Sequence, residues 1–220
     1  MRGHFYCMAR GRAIFYYDGF NFYKGLREVG WKDCYWLDLY QFSKNILEKY
    51  KWYEITHIHY FTCRPFNRGK TLRQGIWLNT NEKLHPEIEV HYGKKESEKI
   101  KCTNPRCNRI IQIPREKETD VNIAVNMMYD CIKENCDVSV LVSGDNDYVP
   151  ILRYIKNHHP KQRIHNVYPP YRNLSSLHMW SGFQPIDLIR AKDVLLKSRL
   201  PKKVNFSDGT FSIMPPEWDL

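Results

Sequence analysis

The chain has 220 residues, of which 42% are hydrophobic and 14% aromatic, enough to build a packed core, so disorder is excluded as the default. Its 34 Lys and Arg against 24 Asp and Glu leave a net charge of +10, which points to a polyanionic partner, nucleic acid most simply, or else only to a soluble basic surface. No apolar run approaches the ~20 residues that span a bilayer, which excludes a membrane partner of that kind.

The opening MRGHFYCMARGR lacks the long apolar stretch of a secretory signal, and Met8 is an alternative start that would make residues 1–7 an extension. Seven irregularly spaced cysteines fit reduced thiols, so the expected compartment is cytoplasmic. AIFYY (13–17) reads as a buried strand ending at Asp18-Gly19, with a helix from Phe20 to about Val29. DLYQFSKNILEKY (38–50) sets Leu39, Phe42, Ile46 and Leu47 on one helical face behind Asp38 as N-cap. ITHIHYFTC (55–63) is the second strand, a helix is predicted over 67–84, and EIEVHYG (87–93) is the third strand. From Lys94 to Arg115 the periodicity breaks into lysines, a Cys-x4-Cys and two prolines, which marks an inserted loop or hairpin. TDVNIAVNMMYDCI (119–132) is helical with Thr119 as its cap, and VSVLVS (138–143) is the fourth strand. DYVPILRYIKN (147–157) is the next helix, with Pro150 tolerated in its first turn. QRIHNVYPP (162–170) is a fifth strand, and a short helix (186–198) and a loose tail end the chain. Alternation of this kind means an α/β fold with a mostly parallel central sheet and helices on both faces.

Sites in such a sheet form where strands end at their carboxyl edge. Asp18 ends the first strand in YYDGFN, Asp145 and Asp147 end the fourth in SGDND, and Asp120 opens the preceding helix in EKETDV. Singly, each has a plain structural role: Asp147 as N-cap, Asp120 as partner of a helix dipole, Asp18 as a turn residue. Together they predict one pocket, in which the carboxylates would repel and raise one another's pKa unless a divalent cation sat among them. All-oxygen ligands select a hard ion, Mg²⁺ or Mn²⁺, and such ions act on phosphates. Gly19 and Gly144 let the backbone turn tightly beside them.

FYYDGFNFY, EKETDVNIAVNMM and VLVSGDNDYVPIL, in this order and spacing, resemble the NYN domain, in the LabA-like branch of the PIN-like nuclease superfamily. The resemblance runs over residues 12–168, including the insert, and leaves 169–220 as a C-terminal helix and tail. It implies a Rossmann-like PIN-type three-layer sandwich, an acidic Mg²⁺/Mn²⁺ site and ribonuclease activity. By position, Asp18, Asp120, Asp145 and Asp147 match the family's acidic site as catalytic and metal-binding residues. Asn21 and Ser143 support them, and Lys117, with Arg115, contacts phosphate. The family commonly has aspartate where this chain has Asn126. Six helical residues turn the face by about 240°, so Asn126 is expected to support or pack rather than bind metal, while leaving a weakened member open. The implied reaction is in-line attack of an activated water on an RNA phosphodiester at one or two metal ions, with Asp147 as a further ligand or base.

Cys102 and Cys107 form half of a zinc ligand set, which Cys63, His57, His59, His85 or His91 would complete through space; free thiols in a loop are the alternative. Tyr16, Tyr17, Phe20, Phe22 and Tyr23 around Asp18 are mostly core, with one or two free to stack on unpaired bases. The basic runs 64–73 and 93–101 are solvated faces or backbone contacts to RNA. The expected function is a metal-dependent endoribonuclease acting on RNA, single-stranded first, with a homo-oligomer left open. The alternative is a catalytically silent RNA-binding or regulatory module of the same fold. Another Mg²⁺ phosphotransfer enzyme would want Asp-x-Asp at strand one, which DGFN lacks.

Overall fold

The computed structural model describes residues 10–48, 53–104, 107, 109–171, 179–182 and 184–219, so Met8 and the extension before it lie outside the described residues. In chain order the elements are β1 (Gly11–Asp18), α1 (Gly19–Glu28), α2 (Leu39–Leu47), β2 (Tyr53–Thr62), α3 (Arg68–Leu84) and β3 (Ile88–Tyr92). Next come β4 (Lys94–Lys101), β5 (Ile110–Lys117), α4 (Thr119–Ile132), β6 (Val138–Val142), α5 (Val149–His158) and β7 (Arg163–Tyr168). The chain closes with β8 (Ile186–Asp187), α6 (Lys192–Lys197), β9 (Lys203–Asn205) and β10 (Phe211–Ile213).

Strand alternation sorts the side chains of β1 onto two faces. Ala13, Phe15 and Tyr17 enter one buried cluster with Phe22, Phe42 and Leu78 of α1, α2 and α3. Ile14 and Tyr16 enter the other, with Ile123 and Met127 of α4 and Leu152 and Ile155 of α5. A strand buried on both faces belongs at the centre of a parallel sheet. The order is β3-β2-β1-β6-β7-β8 and every pair is parallel. The chain winds outward from β1 to β3, then resumes on the other side of β1 with β6. The boundary of β1 and β6 is therefore the switch point, where loops leaving the carboxyl ends part and open a crevice.

Helix starts follow the side chains that cap them. Asp18, Asp38 and Asn67 accept the backbone N–H groups of Asn21 (2.9 Å), Gln41 (2.8 Å) and Lys70 (3.0 Å) ahead of α1, α2 and α3. Thr119 does not cap α4. Glu118 precedes that helix at φ 74°, in the left-handed region, and the Thr119 hydroxyl donates to Glu116 (2.6 Å). The insert is a hairpin: β4 and β5 pair antiparallel from Lys94↔Lys117 to Lys101↔Ile110, two residues beyond the expected end. At its base a Cβ on Gly93 would stand 2.6 Å from the Thr119 hydroxyl, so only glycine lets the strands close on α4.

The C-terminal region corrects two expectations. Residues 186–198 are not one helix. Ile186 and Asp187 pair with β7 as a sixth strand of the sheet. Asp187 then accepts the Ile189 N–H (3.1 Å) and starts a new turn, so the helix begins only at Lys192. The tail is not loose, because β9 and β10 pair and Val204 and Met214 are buried in the cluster of α1 to α3. Trp218 packs on Tyr35 and Trp36, and the Trp36 indole donates to the Pro201 carbonyl (2.8 Å). No described helix is long and apolar enough to cross a membrane.

Adjacent tail residues test this docking. Met214 is 5% exposed and Ile213 is 55% exposed. Met214→Ala is expected to cost about 2–3 kcal/mol in chemical denaturation and Ile213→Ala no more than about 0.5 kcal/mol; equal, negligible effects would mean an undocked tail.

Candidate active site

Asp18 is the innermost of the predicted carboxylates. It ends β1 at 4% exposure and begins α1, and α1 starts so close to β2 that a Cβ on Gly19 would lie 2.6 Å from the Phe61 carbonyl oxygen. Its oxygens take up the groups around them. Oδ1 accepts the Asn21 N–H, and Oδ2 accepts the Ser143 hydroxyl at 2.9 Å. The Asn21 amide oxygen accepts the Gly144 N–H (3.3 Å), which ties the turn after β1 to the turn after β6. Ser143 also accepts the Asp145 N–H (3.1 Å). Asn21 and Ser143 thus both hydrogen-bond to Asp18.

Tyr148, a residue the sequence reading missed, joins Asp18 to Asp120. Its buried hydroxyl donates to Asp120 Oδ1 at 2.7 Å and lies 3.2 Å from Asp18 Oδ2. A hydroxyl has one proton, so satisfying both contacts calls for a second, held by a carboxyl. Burial pushes the Asp18 carboxyl up to about 7; the Asn21 and Ser143 donors oppose the rise, and the charges of Asp120 and Glu116 add to it.

Glu116 is the second residue that sequence reading missed. Its Oε1 accepts from Thr119, its carboxylate faces the Cys63 thiol, and its Oε2 is buried with no hydrogen-bond partner among the described residues. It lines a cavity of ≈ 220 Å³ with Gly19, Phe20, Tyr60, Lys70 and Lys95. On β5 the side chains alternate, so Arg115 and Lys117 lie on the face opposite Glu116. They pair with Glu98 (2.9 Å) and Glu96 (2.7 Å) across the hairpin. Reading the insert as ending at Arg115 hid this alternation.

Asp18 alone of the four is buried; Asp120 is exposed. Asp145 is half-buried and caps the turn Asn146–Tyr148 by accepting the Asp147 N–H (3.1 Å), so the capping role considered for Asp147 falls to Asp145. Asp147 is exposed within that turn. Among the described residues, no three of the aspartates bring their oxygens within 4.8 Å of one another, and none of the four pairs with a lysine or arginine. Asn126 donates to the Asn122 carbonyl of its own helix (2.8 Å), so the departure from the family pattern serves α4. Cys102 and Cys107 lie at the hairpin's far end, and among the described residues they join no third metal-ligating side chain; His85 lies beside Asp38 instead.

An all-oxygen set with one orphaned buried carboxylate oxygen fits a hard divalent ion that keeps several of its waters. In the absence of such an ion, the folded state holds the Asp18 proton to about pH 7, whereas the unfolded chain releases it near pH 3.8. The associated stability is complete below about pH 4 and lost as pH rises through about 7, on the order of 4 kcal/mol in all. In chelator, wild-type stability is therefore expected to fall from about pH 5 to pH 8 more steeply than that of Asp18→Asn, and saturating Mn²⁺ to remove the difference in slope. Parallel profiles in chelator would contradict the raised Asp18 pKa.

The NYN domain family model matches residues 12–168. The chain is 30% identical, over 67% of its length, to the 6-hydroxy-3-succinoylpyridine 3-monooxygenase of Pseudomonas putida, and it spans 56% of that relative. The crystal structure of a protein of unknown function from Vibrio parahaemolyticus shares the fold at a TM-score of 0.53 and 17% identity, covering 85% of this chain and 97% of the other. With an α/β sandwich around a parallel sheet and a family match across most of its length, the chain belongs to the NYN domain family.

Proposed function

We propose that the chain is a metal-dependent endoribonuclease of the LabA-like branch, hydrolysing single-stranded RNA in the crevice between β1 and β6. The NYN domain is a nuclease-type fold whose nucleases usually use divalent metals, and RNA is the substrate such a domain suggests. One observation carries the reading: the buried Asp18 shares the Tyr148 hydroxyl with Asp120, and the charge of Glu116, whose Oε2 has no hydrogen-bond partner among the described residues, reaches it.

When bound, Mg²⁺ or Mn²⁺ supplies Lewis acidity toward the scissile phosphate and lowers the pKa of water. Asp18, Asp120, Asp145 and Glu116 are the residues that would hold it. Ser143 and Asn21 fix Asp18 and the turn after β6, and Tyr148 keeps Asp18 and Asp120 in register. Asp147, exposed at the rim, accepts the proton of the attacking water. Lys70 and Lys95 line the cavity beside Gly19 and meet the phosphate backbone. Lys117 and Arg115 stand on the outer face of β5, opposite Glu116, each held by a glutamate that a phosphate would displace. Phe20 (53% exposed) and Tyr23 at the rim offer faces for base stacking.

A second reading has its own support. The cavity is lined by aromatic side chains and holds ≈ 220 Å³, room for a small ring, and the Pseudomonas relative is named as a succinoylpyridine monooxygenase. Labelled single-stranded RNA with Mn²⁺, Mg²⁺ or chelator separates the two. Cleavage is expected with metal only, and Asp18→Asn and Asp145→Asn are expected to lower kcat about 100-fold or more with RNA binding retained. Full activity of Asp145→Asn, or cleavage in chelator, would contradict the assignment. Turnover of a hydroxypyridine without RNA cleavage would favour the second reading.

A further inference from the structure

Away from the aspartates, the edge of the sheet gathers a different set of donors. His57 and His59 alternate on β2, as do Glu89 and His91 on β3. Strand pairing sets His59 beside Glu89 and Phe61 beside His91, so all four side chains leave the same face, the one covered by α4. Glu89 Oε2 lies 3.1 Å from His57 Nε2, 3.7 Å from His59 Nδ1 and 3.6 Å from His91 Nε2. His59 Nδ1 and His91 Nε2 are 2.8 Å apart. The donor atoms of His57, His59 and Glu89 all fall within 4.8 Å of one another.

Ligands of a tetrahedral ion with bonds of about 2.0–2.2 Å are separated by about 3.4 Å. The contacts to Glu89 already bracket that spacing, and the His59–His91 pair reaches it by opening about half an ångström. The surroundings are built to hold the imidazoles. His59 Nε2 lies 3.4 Å from Asp130 Oδ2. Asp130 is in turn fixed by the Tyr16 hydroxyl and the Asn135 amide, each donating at 2.8 Å. A carboxylate behind the outer ring nitrogen keeps the proton there and leaves the Nδ1 lone pair facing the cluster. Tyr16 stacks on His59 (5.4 Å between centroids) and Phe61 on His91 (4.5 Å). The His59 side chain is 8% exposed and that of Glu89 56%, so the cluster has a buried back and an open front.

We propose that His57, His59 and Glu89, with His91 as fourth ligand, bind a borderline divalent transition metal, zinc first, at a site separate from the aspartates. Imidazole donors select zinc over Mg²⁺, so the two sites draw on different ions. Four protein ligands make a closed, structural site. It clamps the edge strand β3 onto β2, whose Phe61 abuts Gly19 and pairs with Asp18 at the floor of the acidic crevice.

The test uses the full chain, stripped with chelator and titrated with Zn²⁺ and with Co²⁺, whose visible absorption reports four-coordinate nitrogen and oxygen ligation. One equivalent of zinc and a raised Tm are expected for wild type, for Asp18→Asn/Asp120→Asn and for Cys102→Ser/Cys107→Ser. Both are expected to be lost in His57→Ala/His91→Ala. Asp130→Asn is expected to weaken zinc binding ~10- to 100-fold as a positioning residue, with the Co²⁺ spectrum altered. Glu89→Gln, at an exposed position, serves as the second ligand variant should the double variant fail to fold. No zinc uptake by wild type at micromolar metal, unchanged uptake in the ligand variants, or loss in the cysteine variant would overturn the proposal.

Discussion

A carboxylate buried at the end of the central strand is costly unless something holds its charge or its proton. Asp18 is that group, and the carboxyl edge of the sheet is arranged around it. The Asn21 amide, the Ser143 hydroxyl and the Tyr148 hydroxyl all converge on its two oxygens. These partners come from α1, from the turn after β6 and from the turn leading into α5, so one side chain fastens together the elements on both sides of the switch point. The same strand end demands glycine next in sequence, because nothing larger fits against the Phe61 carbonyl.

Charge is distributed against the overall balance. The chain carries +10, yet Asp18, Asp120 and Glu116 come close enough for the last two to raise the first. The hairpin contributes on both counts. It places Glu116 at the cavity, and it carries Lys95 on the cavity wall, with Lys117 and Arg115 on its outer face. A negative centre within a positive surround suits a polyanionic partner, and under the proposed function it is where a hard cation would be held.

Much of the fold was legible because burial dictates pattern. Central strands such as VSVLV read as apolar runs, which is why Asp18 and Asp145 can be placed at or just after the strand ends from sequence. Asp120 needed the resemblance as well as the helix start. What escaped reading depended on partners distant in sequence. Glu116 faces the site only because β5 pairs with β4 in one register, and Tyr148 matters only because its hydroxyl meets two aspartates from other elements. The tail was read as loose because short polar strands have no periodicity, and its few anchors, Val204, Met214 and Trp218, are apolar residues spaced too widely to form a pattern. The histidines on β2 and β3 were visible as alternating pairs; their meeting required knowing which strands are neighbours.

Uptake of Mn²⁺ by the full chain, followed through loss of the free-ion electron paramagnetic resonance signal near pH 7, tests most directly whether the Asp18 centre exists to hold a hard cation. Wild type should bind saturably and release a proton as it does so, and Asp18→Asn and Asp120→Asn should each abolish that binding while the His57→Ala/His91→Ala variant keeps it. Equal Mn²⁺ uptake by wild type and Asp18→Asn would show that the buried carboxylate serves only the fold.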